Sequence, residues 1–266
     1  MSRIFQHFQN LKSKNEAALV AYVTVGDPDY EISKRAVCTL IEAGVDVVEL
    51  GIAFSDPLAD GPVIQAAAQR ALLAGTTPAH TLKLVKELRA DYQTPLIAMT
   101  YFNPVLQYGL SRFAFDAGQA GLDGVILTDL PPEGASEWLE TASQNGLDTI
   151  FLLAPTSTDK RIQIVCESGS GFVYCVSRTG VTGSRSDIPP EVSELVSRVR
   201  SATDKPVVVG FGISNADHVS QISDFADGAV VGSAIVEFIA KNHTCPDFEA
   251  QFSDFVQMLK KGTRRS

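Results

Sequence analysis

The chain has 266 residues, 45% of them apolar and 20% charged, which fits a compact globular protein and excludes disorder, collagen and coiled coil as the main state. Lys and Arg number 22 against 31 Asp and Glu, a formal charge of -9, so the overall field disfavours nucleic acid and anionic lipid as partners. A small anion is not excluded, because local backbone donors can override a distant field.

The first residues, Met1 to His7, carry no apolar signal core, and no run approaches the roughly 18 apolar residues that span a bilayer. The expectation is a reduced, cytoplasmic protein with no membrane or nucleic-acid partner. Cys38, Cys166, Cys175 and Cys245 form no C-x-x-C pair, so zinc and redox motifs lack support. The basic run from Lys260 to Arg265 is expected to be a solvated end.

In chain order, residues 5–12 predict a helix that precedes the first strand. Short apolar runs then recur at 18–25, 45–52, 95–100, 124–128, 148–153, 171–176, 206–210 and 228–231. They show little polar alternation, which implies burial on both faces, as in a parallel sheet. Helical spacing separates them, as in Ile32, Ala36, Val37, Leu40 and Ile41, or Val192, Leu195, Val196 and Val199. Pro62, Pro132 and Pro190 stand at expected helix starts, and Ser214 with Asp217 resembles a capping box.

A weak repeat supports this order. Gly44-Val45-Asp46, Gly121-Leu122-Asp123 and Gly146-Leu147-Asp148 each place a helix-ending glycine, an apolar residue and an aspartate before a strand. Eight strands alternating with helices predict one (β/α)8 barrel over residues 1–266, with the extra N-terminal helix. An open doubly wound sheet is the alternative, but Gly26-Asp27-Pro28-Asp29 is not its glycine fingerprint.

Barrel sites form at the C-terminal ends of strands, which turns strand ends into candidates. Glu49 lies inside an apolar run where an unpaired carboxylate is costly, so it should reach the interior or mouth. In the loop that follows, Asp56 before Pro57 could start a turn, and Asp60 stands where a helix N-cap would. The loop after the sixth strand, Ser177 to Asp187, has the composition of either a lid or a plain surface loop. Gly210 and Gly212 follow the seventh strand, and Gly232 and Ser233 the eighth, where this fold recurrently binds phosphate. His7, His80, His218 and His243 fall away from strand ends, no metal-ligand spacing occurs, and no lysine lies in a strand. Carboxylates, a phosphate cradle and Tyr174 remain, a set suited to proton transfer on a phosphorylated substrate.

The stretch Glu49-Leu50-Gly51-Ile52-Ala53-Phe54-Ser55-Asp56-Pro57-Leu58-Ala59-Asp60-Gly61-Pro62 closely resembles the signature of the tryptophan synthase α subunit family. Ser177 to Gly183 is similar to that family's mobile loop, and the glycines after the last two strands to its phosphate site. The resemblance implies retro-aldol cleavage of indole-3-glycerol phosphate to indole and glyceraldehyde 3-phosphate. It implies Glu49 and Asp60 as the acid/base pair, with Tyr174 orienting Glu49 or substrate. It further implies a phosphate site at Gly183, Gly212, Gly232 and Ser233, and a lid carrying Arg178 and Thr182. Tyr22, Ile64, Met99, Thr128 and Phe211 would line an indole pocket or simply pack the barrel.

The same resemblance implies no cofactor in this chain and an α2β2 complex whose β subunit carries pyridoxal phosphate. Ala53, Asp56, Pro57, Asp129 and Pro131 would meet that partner. Two positions depart from the family's usual residues: Ala53 stands for proline, and Tyr22 for phenylalanine. A stand-alone lyase and a silent activator of β are the alternative readings.

Overall fold

The computed structural model describes residues 2–176, 189–210 and 212–265. Its strands are β1 (Ala18–Thr24), β2 (Val47–Gly51), β3 (Leu96–Thr100), β4 (Gly124–Leu127), β5 (Asp148–Ile150), β6 (Leu152–Leu153), β7 (Val173–Val176), β8 (Val207–Gly210) and β9 (Gly228–Val231). All pair in parallel, in the order β5-β4-β3-β2-β1-β9-β8-β7-β6. Only Phe151 separates β5 from β6, so the two ends of that order are one stretch of chain and the sheet closes. The fold is the expected (β/α)8 barrel, with its fifth strand interrupted at Phe151.

Side chains alternate across the barrel wall. Val20, Val47, Ile97, Ile126, Ile150, Phe172 and Val208 fill the interior. Their neighbours, such as Leu19, Val48, Ala98, Val125 and Val209, face the surrounding helices. Both sets are buried, which is why the strands read as continuous apolar runs. The helices before the third strand are α1 (Arg3–Ser13), α2 (Tyr30–Glu42), α3 (Pro62–Leu73) and α4 (Pro78–Leu88). Next come α5 (Phe102–Tyr108), α6 (Leu110–Ala120), α7 (Ser136–Gln144) and α8 (Asp159–Ser168). Last are α9 (Pro190–Arg200), α10 (Ala216–Ser223), α11 (Ser233–Asn242) and α12 (Phe248–Lys261). Helix α1 stoppers the N-terminal end of the barrel with Ile4, Phe8 and Leu11. Each such burial contributes roughly 1.5–3 kcal/mol.

The repeated glycine and aspartate have separate jobs. Gly44, Gly121 and Gly146 take φ of 98°, 88° and 72°, the left-handed turn that closes α2, α6 and α7. Asp46 then accepts a bond from Leu19 N at 2.7 Å, and Asp123 one from Leu96 N at 2.8 Å. Each aspartate thereby satisfies an amide in the first two residues of a strand. Asp227 does the same for Val207 N at 2.9 Å, an extra copy that the repeat did not show. These carboxylates also gather the bottom of the molecule: Asp46 meets His7 and Lys260, and Asp123 meets Arg3 and Arg89.

The basic tail is not a solvated end. Lys260 pairs with Asp46, Thr263 is fully buried, and Arg265 donates to the carbonyls of Ser223 and Ala226. The capping box at Ser214 is also displaced by one residue. Asn215 caps α10, accepting from His218 N at 2.9 Å.

Candidate active site

Glu49 projects from β2 into the barrel and is fully buried. Neither of its carboxyl oxygens has a hydrogen-bond partner. Burial without compensation pushes its pKa up to about 8, so at neutral pH the carboxyl keeps its proton. Tyr22 is its register partner on β1, and Ile97 its partner on β3.

Asp60 is not a helix cap. Gly61 holds the N-cap position of α3 with no side-chain bond, and Pro62 starts the helix. The Asp60 carboxyl is thus left for other work. Its peptide is fixed on both sides: Asp60 N donates to Pro57 O at 3.1 Å, and Asp60 O accepts from Gln65 Nε2 at 2.8 Å. Burial raises the Asp60 carboxyl above the ordinary aspartate range, and the Tyr101 hydroxyl opposes that shift.

Tyr101 is the residue that sequence reasoning missed. It follows β3 directly, so the strand-end rule extended by one position would have found it. Its hydroxyl accepts from Ala59 N at 2.8 Å and its ring packs on Phe54 at 5.3 Å. One side chain therefore pins the loop that carries Asp60. Tyr101, Asp60, Tyr22, Met99 and Thr128 line one cavity together with Ile52, Ala53 and Phe54. Ile64 joins Tyr22 and Met99 in a small cluster beside it, against Ala67 and Val236. The expected pocket walls are thus brought together, apart from Phe211, which lies outside the described residues.

Tyr174 is buried inside the barrel, near Glu49, Tyr22 and Asp60. It makes no hydrogen bond to Glu49, whose oxygens are unpartnered. Its hydroxyl rests over Gly210, where a Cβ would lie 2.5 Å away. Burial first, and then the Glu49 charge, hold the Tyr174 phenol protonated.

At the end of β9, between β1 and β8, α11 begins at Ser233 behind Gly232. Its N-terminus has no capping side chain and no acid in its first turn, whereas Asp29, Thr158 and Asn215 cap α2, α8 and α10. Free amides at a helix N-terminus favour an anion. Gly212, at φ 40°, follows β8 next to this end. The remaining predicted members, Arg178, Thr182 and Gly183, lie outside the described residues.

The rim carries the expected partner-facing residues. Asp56, Asp129 and Pro131 are exposed, and Ala53 and Pro57 are half-buried. Asp129 accepts from Phe102 N at 2.7 Å and so ties its loop to α5. Leu58 is 93% exposed and Leu106 on α5 47%, an apolar contribution to the same rim. Among the described residues no three His, Cys, Asp or Glu side chains cluster as metal ligands, and no helix is long and apolar enough to cross a membrane.

Comparison with known proteins agrees with this geometry. The family model for the tryptophan synthase alpha chain matches residues 8–264. A tryptophan synthase alpha chain from Geobacter sp. (strain M21) is 49% identical over 262 residues, 98% of each chain. One from Solibacter usitatus is 47% identical over 262 residues, again 98% of each. A solved structure from Aquifex aeolicus VF5 covers both chains completely at 41% identity and a TM-score of 0.91. Tryptophan synthase from M. tuberculosis, in an open form, does so at 36% identity and a TM-score of 0.91. The chain belongs to the tryptophan synthase alpha chain family.

Proposed function

We propose that this chain cleaves indole-3-glycerol phosphate to indole and glyceraldehyde 3-phosphate, with Glu49 and Asp60 as its acid/base pair. The observation that carries the assignment of Glu49 is its buried, unpartnered carboxyl, still protonated at neutral pH inside the barrel. Cleavage at indole C3 first requires a proton there. Glu49 supplies it, and the ring becomes an indolenine-like cation. Asp60, as a carboxylate against the ring N–H, stabilises that charge. Glu49, now ionised, removes the proton from the hydroxyl on the carbon bonded to C3. That O–H electron pair forms the aldehyde carbonyl, the C–C pair returns to the ring, and Glu49 ends as it began.

The amides at the start of α11, with Gly212, Gly232 and Ser233, hold the phosphate. Tyr22, Ile64, Met99 and Thr128 enclose the indole ring, with Phe211 completing the wall. Gly183, Thr182 and Arg178 belong to the lid. The product is passed to a β subunit in an α2β2 complex, docked on the rim around Ala53, Asp56, Pro57, Asp129 and Pro131. The chain itself holds no cofactor, and pyridoxal phosphate belongs to that partner. A cytoplasmic location fits this role.

Glyceraldehyde 3-phosphate release, assayed with and without the β subunit, tests the reading. Release strongly stimulated by β is expected. Full activity without β favours a stand-alone lyase, and no release even with β favours a silent activator.

A further inference from the structure

Tyr22 stands on β1 with Thr24 two residues on, so both side chains face the interior. Thr24 Oγ1 donates to the Tyr22 hydroxyl oxygen at 3.2 Å, and both residues are buried. An oxygen that accepts from Thr24 keeps its own O–H for a second partner. The ring extends from beside Gly232, whose Cβ would lie 3.6 Å from Tyr22 Cβ, to Gly51 on β2. At Gly51 a Cβ would lie 2.1 Å from the hydroxyl oxygen. Gly51 is not among the glycines with positive φ, so its backbone does not demand glycine. The missing side chain instead makes room for the Tyr22 hydroxyl.

That hydroxyl faces a particular set of groups. Tyr22 and Asp60 line one cavity, which Tyr101 and Thr128 also line and which contains no Lys or Arg among the described residues. Glu49 is its register partner and Tyr174 stands nearby. Burial, then the Asp60 and Glu49 charges, keep the Tyr22 phenol protonated and so a donor, while the Thr24 bond opposes them.

We propose that Tyr22 is a positioning residue for Asp60: Thr24 fixes its oxygen, Gly51 leaves its seat open, and its O–H bonds the Asp60 carboxylate when substrate occupies the cavity. The bond favours the charged form of Asp60, the form that stabilises a positive indole ring. Two tyrosines, Tyr22 and Tyr101, thus share the task of holding one half-buried carboxylate ionised. This rests on the reading of Asp60 given above.

The test is the pH profile of kcat, which reports ionisations of the substrate-bound enzyme, for the full chain with its β subunit, from pH 5 to 9, in wild type, Tyr22→Phe and Thr24→Val. Phenylalanine keeps the ring and removes only the hydroxyl. Tyr22→Phe is expected to move the acid limb up by about one pH unit, so that its loss is approximately tenfold greater at the acid end than on the plateau. Thr24→Val should move it the same way by less. A uniform loss at every pH, which a packing role would give, overturns the proposal. An unshifted limb overturns it too, and if Asp60→Asn is then inactive, the reading of Asp60 survives. A fully active Asp60→Asn overturns both.

Discussion

Tyr22 and Glu49 are register partners across the β1–β2 ladder, side by side on the interior face of the barrel. The pair explains how a fold can keep a carboxylic acid protonated at neutral pH. The Tyr22 hydroxyl oxygen accepts from Thr24 and sits over Gly51, Ile97 borders Glu49 on the other strand, and the Glu49 oxygens have no hydrogen-bond partner.

The first consequence is a pH-dependent stability. The folded pKa of Glu49, about 8, lies above the ordinary 4.5 of an unfolded glutamate. Between those values the unfolded chain has lost a proton that the folded chain retains, so stability falls as pH rises. The slope is about 1.4 kcal/mol per unit, or on the order of 3 kcal/mol from pH 5 to 7. Glu49→Gln should lose this component and be the more stable protein at pH 7. Denaturant unfolding at several pH values checks it, and identical pH dependence in the variant would falsify the burial argument.

Activity should fall through the same ionisation. Once Glu49 loses its proton in the free enzyme, indole C3 has no acid. We expect kcat/KM to decline above about pH 8 with the slope of a single proton. A profile flat to pH 9.5 would contradict Glu49 as the proton donor.

Ser233→Asp should raise KM at least about tenfold and leave kcat nearly unchanged, because it sets a negative charge against the phosphate at the start of α11. Steady-state kinetics with indole-3-glycerol phosphate, set beside the dephosphorylated indole-glycerol, measures the effect. An equal penalty on both substrates would show that the phosphate does not sit there.

Asp123→Ala should destabilise the chain by roughly 3–5 kcal/mol without touching the mouth. It strips Arg89, whose side chain is only 10% exposed, of its carboxylate partner, leaving it only carbonyls, and also leaves Leu96 N unsatisfied. Thermal and denaturant unfolding report the loss. Normal stability would mean that the bottom ring of aspartates does not hold α1 and the barrel together.

Leu58→Asp should weaken β binding by tenfold or more while leaving the rate measured without β as in the wild type. Leu58 is 93% exposed, and an apolar side chain so placed is expected to be covered in a complex. Unchanged stimulation by β would move the docking surface elsewhere on the rim.

The parallel barrel was legible in the sequence because every strand is buried on both faces and reads as an unbroken apolar run. The same burial marked Glu49, since a carboxylate there breaks the run. Asp60 could not be settled from sequence, because a cap and a catalytic carboxylate ask for the same residue before a helix. Geometry decided that Gly61 is the cap. Tyr101 was hidden for a different reason: an aromatic after an apolar strand looks like core, and only its bond from Ala59 N reveals its hold on the loop. The tail misled because charge predicts solvent, whereas Lys260 and Arg265 find Asp46 and free carbonyls at the barrel's base.

The most direct test of the account is single-turnover release of glyceraldehyde 3-phosphate by Glu49→Gln, at pH 7 with β present. The amide keeps the shape of the side chain and cannot give or take the proton. A loss of at least about a thousandfold with substrate binding retained is expected. Release at the wild-type rate would contradict it.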